Sequence, residues 1–243
     1  MYCTGLIAAA GLGLRLGGGT PKGLRVLAGR PLVAHAVQGM LQVAAVRAIV
    51  VAAPPSHLAE VHRAVSAVSS SDSGVTLDVI VGGAERADSV QLLLAAVPAQ
   101  TTHVLIHDAA RCFTPASQIQ AVVDALAAGQ QAVVPVLPVV DTVARVEGER
   151  VVGNVPRDEL RLVQTPQGFD LQVLREAYAR ASLAAATDDA TLVARLGLPV
   201  TTVAGARAAL KVTTPEDLLV AAALAPSADP AALGFAQVEG RDM

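Results

Sequence analysis

The sequence lacks tryptophan and is poor in aromatic residues and cysteine, and each shortage narrows what the chain can be. Aromatic residues make up 2% of the 243 residues, whereas hydrophobic residues make up 53%. The core must therefore consist of Ala, Val and Leu, and the length suits one α/β domain or two small ones. Cys3 and Cys112 have no metal-ligand spacing and form no disulfide framework, so we expect a protein of the reducing cytoplasm.

Long apolar runs and a basic N-terminal leader are also lacking. No run approaches the roughly 18 apolar residues that a membrane span needs. No positive charge precedes Arg15, so we expect no signal peptide. The net charge of −3 gives no support for a nucleic-acid surface. We therefore expect neither a membrane nor a nucleic acid as a partner.

Lysine is the scarcest of the common charged residues. Of 18 Lys and Arg residues only two are lysines, Lys22 and Lys211. In a chain whose other basic residues are all arginine, the two lysines are candidates for a specific role. Compositional bias alone is the alternative.

Short apolar runs alternate with helical segments, which is typical of a parallel sheet with crossover helices. The pattern predicts strands over 4–9, 48–53, 77–81, 103–107 and 132–137, with helices over 31–43, 56–68, 86–97 and 115–128. Further helices are predicted from about Leu171, Asp188 and Pro215, and strands near Val200 and Leu210. We expect a single domain over 1–225 and a flexible C-terminal tail over 226–243.

The segment "DTVARVEGERVVGNV" (141–155) interrupts this rhythm. It alternates with a period of two around Glu147 and Gly148, which predicts a β-hairpin. The hairpin is either an arm over about 139–160 that leaves the body of the domain or an ordinary surface hairpin.

The glycine-rich stretch "AAAGLGLRLGGGTPKG" (8–23) follows the first predicted strand. Gly11 and Gly13 match the start of a dinucleotide fingerprint, but Leu16 stands where its third glycine belongs. Lys22 is followed by glycine rather than by the Ser or Thr of a Walker A loop. Backbone N–H groups of such a turn form an anion-binding concavity, to which Arg15 and Lys22 add charge. We therefore predict a triphosphate loop, with a turn carrying solvated cations as the alternative.

"VLIHDAAR" (104–111) ends a buried strand with an acid. Ligands of open α/β sheets gather beyond the carboxyl ends of the strands. Asp108 is therefore a candidate Mg²⁺ ligand, because Mg²⁺ takes one or two carboxylates together with phosphate oxygens. A helix cap is the alternative role for Asp108. Arg111 is expected to face the same crevice and to suit a second phosphate group.

Two further motifs complete the set of candidates. In "GGAERADSV" (82–90), Gly82 and Gly83 would let the backbone approach a flat base, and Ser89 offers a hydroxyl to its edge, unless it faces solvent. "ALKVTTPEDL" (209–218) places Lys211 in a predicted short strand, from which it would supply a second cation to the phosphates. The loops "RLVQTPQGF" (161–169) and "TDDATLV" (187–193) are predicted to lead into helices, with Asp188 and Asp189 as possible dipole partners.

Taken together and in this order, the motifs resemble the 2-C-methyl-D-erythritol 4-phosphate cytidylyltransferase family over nearly the whole chain. The resemblance implies a Rossmann-like nucleotidyltransferase fold with a mostly parallel central sheet and a protruding β-hairpin arm. It also implies a homodimer joined through these arms, and transfer of a cytidylyl group from CTP to methylerythritol phosphate in the non-mevalonate pathway.

The resemblance also implies roles for particular residues. The catalytic cations would be Arg15, Lys22 and Lys211, and Asp108 would hold Mg²⁺. The CTP site would comprise Ala9, Ala10, Gly11, Gly13, Gly83, Ser89 and Asp108. Methylerythritol phosphate would be held by Arg111, Thr165 and Thr187, and by Thr142 and Arg157 of the other subunit. The chain departs from the family at Gly23, where Gln is common, and at Ala209, where Asn is common.

Three other functions compete with this interpretation. A cytidylyltransferase for another polyol phosphate, such as ribitol phosphate, would share the fold and the CTP site. A nucleotide-binding regulator would keep the glycine loop without catalysis, but both lysines, Asp108 and the acceptor motifs argue against it. A dinucleotide oxidoreductase conflicts with Leu16 and with the lack of a ribose-binding acid after the second strand.

Overall fold

The computed structural model describes residues 1–17, 19–69, 74–180 and 188–225. Thr187 and the predicted tail over 226–243 lie outside the described residues. The strands are β1 (Cys3–Ala8), β2 (Val26–Leu27), β3 (Arg30–Pro31), β4 (Val46–Ala53), β5 (Thr76–Val81), β6 (His103–Asp108), β7 (Ala132–Pro138), β8 (Val143–Glu147), β9 (Arg150–Val155), β10 (Arg161–Val163), β11 (Gln167–Asp170) and β12 (Thr201–Ala204). The helices are α1 (Leu32–Leu41), α2 (Leu58–Ser66), α3 (Arg86–Ala95), α4 (Ala116–Ala127), α5 (Leu171–Arg180), α6 (Asp189–Arg195) and α7 (Pro215–Ala223).

Eight strands form the central sheet. Its order is β10-β7-β11-β6-β1-β4-β5, and β12 pairs with β7. The pairs β1–β4, β1–β6, β4–β5 and β7–β12 are parallel, whereas β10 and β11 run antiparallel to their neighbours. The predicted α/β architecture with a mostly parallel sheet is therefore confirmed.

The core has one layer on each face of the sheet, because successive residues of a strand point to opposite faces. In β1, Ile7 belongs to the layer that includes residues of α1, α2 and α4, and the adjacent Leu6 belongs to the layer that includes residues of α3, α5 and α6. In β4, Ile49 belongs to the first layer and Val50 to the second. Both layers consist mainly of Val, Leu, Ile and Ala, with Phe169 as the largest fully buried side chain.

The sequence predicts a loop over 161–169, and that prediction is wrong. The region contains β10 and β11, and β11 is inserted antiparallel between β6 and β7. Within β11, only Phe169 is an apolar side chain typical of a buried strand. A Cβ on Gly168 would lie 2.4 Å from Val122 Cγ1, so the glycine lets α4 pack directly on β11.

The strand predicted near Leu210 is also absent. A short 3₁₀ turn, Arg207–Ala209, takes the residues that would begin it, and an irregular segment carries Lys211. The Val212 N–H donates to the Ala110 carbonyl and fixes this segment beside the end of β6. Lys211 therefore reaches its position from a connection rather than from the sheet.

The predicted hairpin is confirmed as β8 and β9, which form a separate two-stranded sheet. Its turn uses Gly148 at a φ of 59°, in the left-handed region that favours glycine. Val146 and Val151 lie directly opposite each other in the ladder and are 59% and 66% exposed. The hairpin thus presents an apolar pair that the body of the protein does not cover.

Within the described ranges, no helix combines the length and apolarity needed to cross a bilayer.

Both cysteines are free and buried, and we predict that neither reacts in the native protein. Cys3 is 0% and Cys112 4% exposed. Burial raises the pKa of Cys3 to about 11 and that of Cys112 to about 12, so little reactive thiolate forms at pH 8. Intact-mass measurement after iodoacetamide treatment should show no adduct on native protein and two adducts in denaturant. Rapid labelling of the native protein would contradict this prediction.

Candidate active site

A crevice of about 200 Å³ lies beyond the carboxyl ends of β1, β5 and β6, where ligands of open α/β sheets bind. We call it the glycine-loop crevice. It brings together residues that are far apart in the sequence: Ala8, Ala9, Ala10, Gly11, Gly13, Lys22, Gly23, Gly83, Ala84, Glu85, Arg86, Ser89, Asp108, Ala109, Ala110 and Lys211. Both lysines of the chain therefore meet in one site.

The glycine loop folds back onto Lys22. Gly13 has a φ of 67°, and a Cβ there would lie 2.7 Å from Lys22 Cβ. The Lys22 N–H donates to the Gly11 carbonyl at 3.2 Å. Burial lowers the pKa of Lys22, and the nearby charges of Lys211 and Arg15 lower it further. The loop therefore concentrates positive charge, as expected for a polyanion site, although the exposed Arg15 is not among the lining residues.

Asp108 is the acidic centre of the crevice. Its Oδ1 accepts from Arg86 Nε at 3.0 Å, and its Oδ2 pairs with Lys211 Nζ at 2.7 Å. Burial alone would raise the pKa of Asp108, but the charges of Arg86 and Lys211 outweigh burial and hold this pKa well below its usual range. Asp108 is therefore ionised at neutral pH, and its two oxygens pair with side-chain cations rather than with the backbone N–H groups that a helix cap would hold.

Arg86 is a residue that sequence reasoning missed. Its Nη2 donates at 2.7 Å to Oδ2 of Asp189, which is fully buried, while its Nε holds Asp108. Burial opposes the charge of Arg86, but the two carboxylates outweigh burial and raise the pKa of the guanidinium. Asp189 is thus an ion-pair partner, whereas Asp188 caps α6 through the Thr191 N–H. The available signal was a charged residue at the first position of a helix after two glycines.

Gly82 and Gly83 serve the protein's own packing. A Cβ on Gly82 would lie 2.4 Å from Ala10 Cβ, and one on Gly83 would lie 2.3 Å from Asp88 Cβ. Ser89 is 1% exposed, and its Oγ accepts from the Gly83 N–H and donates to a backbone carbonyl. Ser89 thus shapes the loop that lines the crevice and does not face bulk solvent.

A second space, the side cavity, adjoins the glycine-loop crevice at Lys211. It measures about 740 Å³ and is lined by Arg111, Leu137, Leu162, Val163, Gln164, Arg207, Leu210, Lys211, Thr213, Asp217, Val220 and Leu224. Arg111 donates to the carbonyls of Ala209 at 2.8 Å and Val163 at 3.2 Å. Lys211 therefore borders two neighbouring spaces, each with further cationic side chains.

Three other predicted acceptor residues have different surroundings. Thr165 is 5% exposed, and its Oγ1 accepts from the Asp108 N–H and lies 2.9 Å from His107 Nδ1. Thr142 and Arg157 are exposed at the base of the hairpin, where Arg157 donates to the Val140 carbonyl. Neither of the latter two lines the crevice or the side cavity.

Comparison with known proteins matches residues 3–226 to the family model of 2-C-methyl-D-erythritol 4-phosphate cytidylyltransferase. This chain belongs to that family. The family's enzyme from Frankia casuarinae is 50% identical over 93% of this chain and 82% of its own, and the one from Saccharopolyspora erythraea is 48% identical over 92% and 99%. The crystal structure of the Thermus thermophilus enzyme is 39% identical, with a TM-score of 0.74, covering 92% of this chain and 98% of its own.

Membership of the cytidylyltransferase family confirms the Rossmann-like nucleotidyltransferase fold. Gly23 and Ala209 are the two positions at which the chain is expected to depart from the family. Gly23 is buried, and a Cβ there would lie 3.3 Å from Ala9 Cβ and 3.4 Å from the Ala9 carbonyl oxygen. Ala209 is fully buried and offers its carbonyl to Arg111. Both positions are therefore closely packed, and neither residue carries a charge.

The available donor groups bear on the expected Mg²⁺. Over the described ranges, no group of three or more His, Cys, Asp or Glu side chains could hold a metal ion. Asp108 offers one buried carboxylate in the glycine-loop crevice, and Glu85 is the other acidic residue that lines it. One carboxylate suits Mg²⁺ that arrives with a nucleotide, because phosphate oxygens and water complete its coordination shell. The residues present therefore fit Mg²⁺ as a companion of the nucleotide.

Proposed function

We propose that the protein transfers the cytidylyl group of CTP to 2-C-methyl-D-erythritol 4-phosphate. The products are 4-diphosphocytidyl-2-C-methyl-D-erythritol and pyrophosphate, and the reaction belongs to the non-mevalonate pathway. Family membership supports this activity. The observation that carries it in the structure is the position of Lys211, at the border of the glycine-loop crevice and the side cavity.

The reaction brings two polyanions together. An oxygen of the acceptor phosphate attacks the α-phosphorus of CTP, a new P–O bond forms, and the bond to the β-phosphate oxygen breaks to release pyrophosphate. No covalent enzyme intermediate is required. Catalysis then depends on positioning and on electrostatic stabilisation of the charge that develops during transfer.

The cationic side chains of the site are proposed to have different roles in this reaction. Lys22, fixed against Gly13, is proposed to bind the triphosphate, and the exposed Arg15 is proposed to close over it from the glycine loop. Lys211 is proposed to contact the reacting phosphates from the border of the two spaces. Asp108 Oδ2 pairs with Lys211 Nζ at 2.7 Å, so phosphate binding is proposed to exchange one anionic partner of the lysine for another.

Asp108 is proposed to bind Mg²⁺ together with phosphate oxygens of CTP. When bound, the ion neutralises negative charge on the phosphates. Ala9, Ala10, Gly11, Gly13 and Gly83 line the crevice beside Asp108 and are proposed to receive the cytosine and ribose, with Ser89 holding the loop that carries Gly83.

The acceptor is proposed to occupy the side cavity next to Arg111. Thr165 is proposed to act from behind Asp108, through the hydrogen bond from the Asp108 N–H, rather than by direct contact. Thr187, outside the described residues, stays an acceptor residue in the proposal. Thr142 and Arg157 are proposed to reach the acceptor of a second subunit, because they line neither space of their own chain.

We also propose that the protein is a homodimer, that each chain has one catalytic domain over 1–225, and that the enzyme works in the cytoplasm. The exposed pair Val146 and Val151 supports the arm as the dimer contact. Two free, buried cysteines are compatible with a reducing compartment.

The test of the activity is pyrophosphate release from CTP and Mg²⁺. Methylerythritol phosphate and ribitol 5-phosphate are supplied side by side, and an EDTA sample reports the metal requirement. We expect release with methylerythritol phosphate to exceed that with ribitol phosphate by about tenfold or more, a difference of about 1.4 kcal/mol in transition-state binding. Equal or greater release with ribitol phosphate would transfer the assignment to that acceptor. No release with either would contradict the proposal.

A further inference from the structure

A connected set of polar side chains runs from the wall of the glycine-loop crevice into the core. Tyr178 Oη donates to Asp189 Oδ1 at 2.5 Å, and Asp189 Oδ2 accepts from Arg86 Nη2 at 2.7 Å. Arg86 Nε donates to Asp108 Oδ1 at 3.0 Å. We call Tyr178, Asp189, Arg86 and Asp108 the Arg86 network. It crosses from α5 and α6 through the start of α3 to the end of β6.

The two cationic partners of Asp108 are held very differently. Arg86 is anchored at its far side by Asp189, a fully buried carboxylate that is itself bonded to Tyr178. Its planar guanidinium donates from Nε to one carboxylate and from Nη2 to the other, two separate donors fixed in direction, whereas the three donors of a lysine ammonium all rotate about a single nitrogen. The exposure of the two side chains is similar, 31% for Arg86 and 41% for Lys211, but Lys211 comes from an irregular segment and has no second carboxylate such as Asp189 among its ion pairs in the described residues. A ligand can therefore draw away Lys211 much more easily than Arg86.

We propose that Arg86 is a positioning residue for the cytidylyl transfer, which holds Oδ1 of Asp108 so that Oδ2 alone becomes free when Lys211 moves to a phosphate. Asp108 then presents one oxygen in a fixed direction. Without Arg86, the Asp108 carboxylate rotates and offers both oxygens to Lys211. Lys211 then stays paired with Asp108, and neither carboxylate oxygen points in the direction that the transfer needs. This inference rests on the proposed function, since it concerns the same Asp108 and Lys211.

The charge balance of the site supports this role. In the ion-paired set, Asp108 and Asp189 bring two negative charges, and Arg86 and Lys211 bring two positive ones. Lys22 and Glu85 also line the crevice and add one charge of each sign. Loss of the Arg86 charge would leave the buried Asp189 uncompensated, which strongly destabilises a fold. The informative substitution is therefore Arg86→Lys, because it keeps the charge and loses the two-carboxylate contact. Tyr178→Phe is a second variant, because it removes the hydrogen bond to Asp189 at the end of the Arg86 network that lies farthest from the crevice, and it changes no residue that lines the crevice.

The experiment compares Arg86→Lys with Arg175→Lys as the matched control. Arg175 also donates from its guanidinium, to the Leu94 carbonyl, but lies on α5 away from the crevice. Measurements are kcat, KM for CTP, the unfolding temperature, and the Kd of CTP in EDTA. We expect Arg86→Lys to lower kcat about tenfold or more and to weaken CTP binding in EDTA severalfold, with Arg175→Lys close to the unmodified protein.

Asp108→Asn and the double variant Arg86→Lys/Asp108→Asn show whether the loss of kcat in Arg86→Lys arises through Asp108. If Arg86 acts through Asp108, the double variant should be no slower than Asp108→Asn alone, because coupled residues give non-additive losses. Multiplying losses, or an unchanged kcat and CTP affinity in Arg86→Lys, would overturn the inference. If Arg86→Lys does not fold, Tyr178→Phe is the test. Measured below its unfolding temperature, the Tyr178→Phe protein should have a lower kcat and an unchanged KM for the acceptor. An unchanged kcat in this variant would overturn the inference.

The same variants distinguish a failure of the proposed site from a failure of the role of Arg86. Full activity in Asp108→Asn would contradict the proposed site itself. Loss of activity in Asp108→Asn together with an unchanged Arg86→Lys would leave the site standing and remove only the role of Arg86.

Discussion

Replacement of either lysine by alanine is expected to leave a folded protein whose turnover is about 10²–10³-fold lower, the usual cost of removing one fixed group that stabilises developing charge. Lys22 and Lys211 both line the glycine-loop crevice, although 189 positions separate them in the sequence. The reaction joins two polyanions, so each lost ammonium leaves repulsion uncompensated in the transition state. The measurement is kcat for pyrophosphate release, with circular dichroism as the check on folding.

The two lysine variants should differ in substrate binding. Lys22 is next to the glycine loop, so Lys22→Ala should also raise KM for CTP. Lys211 borders the side cavity as well, so Lys211→Ala should raise KM for both substrates. A matched control is Arg180→Ala, which removes an exposed cation paired with Glu176 on α5. Near-normal kcat in both lysine variants would contradict the assignment of these residues.

The α/β class and the crevice were predictable from the sequence because both follow from pattern. The alternation of apolar runs and helical segments determines the parallel strands, and their carboxyl ends must share an edge. That edge brings Gly11, Gly83 and Asp108 together, as expected. The rarity of lysine then selected Lys22 and Lys211 without any knowledge of the fold.

The remaining features depend on contacts that no local pattern encodes. β11 contains Gln167 and Gly168, and becomes a strand because β6 and β7 offer free edges and α4 fills the space above the glycine. Arg86 gains its role from Asp189, which is 103 positions away. The missing side chain of Gly82 makes room for Ala10, a contact that the sequence does not indicate. Packing partners distant in sequence decide all three.

Val151→Asp is expected to convert the proposed dimer into monomers and to reduce turnover about tenfold or more. Val151 and Val146 form an exposed apolar pair on a hairpin whose ladder is separate from the central sheet. Isolated exposed valines are ordinary, but a cross-strand pair on a projecting hairpin is a suitable contact for a second copy. An aspartate there would have to be desolvated without a partner in the interface, which costs several kcal/mol.

The loss of turnover would follow from the position of Thr142 and Arg157. Both lie at the base of the hairpin and line neither space of their own chain, and in the proposed dimer they contact the acceptor bound to the other subunit. Light scattering after size-exclusion chromatography gives the mass, and pyrophosphate release gives the turnover. Val26→Asp is the matched control, since Val26 is also 66% exposed and also lies in a short two-stranded sheet, β2–β3. It should keep the mass of the unmodified protein.

The two measurements together separate assembly from catalysis. Monomers with full turnover would show that the acceptor site is complete within one chain and that Thr142 and Arg157 have no role in trans. A Val151→Asp protein that keeps both its mass and its turnover would place the dimer contact elsewhere. A loss of turnover on dilution of the unmodified protein, in step with the fall in mass, would be the independent sign that two chains build each acceptor site, because dimer dissociation depends on concentration.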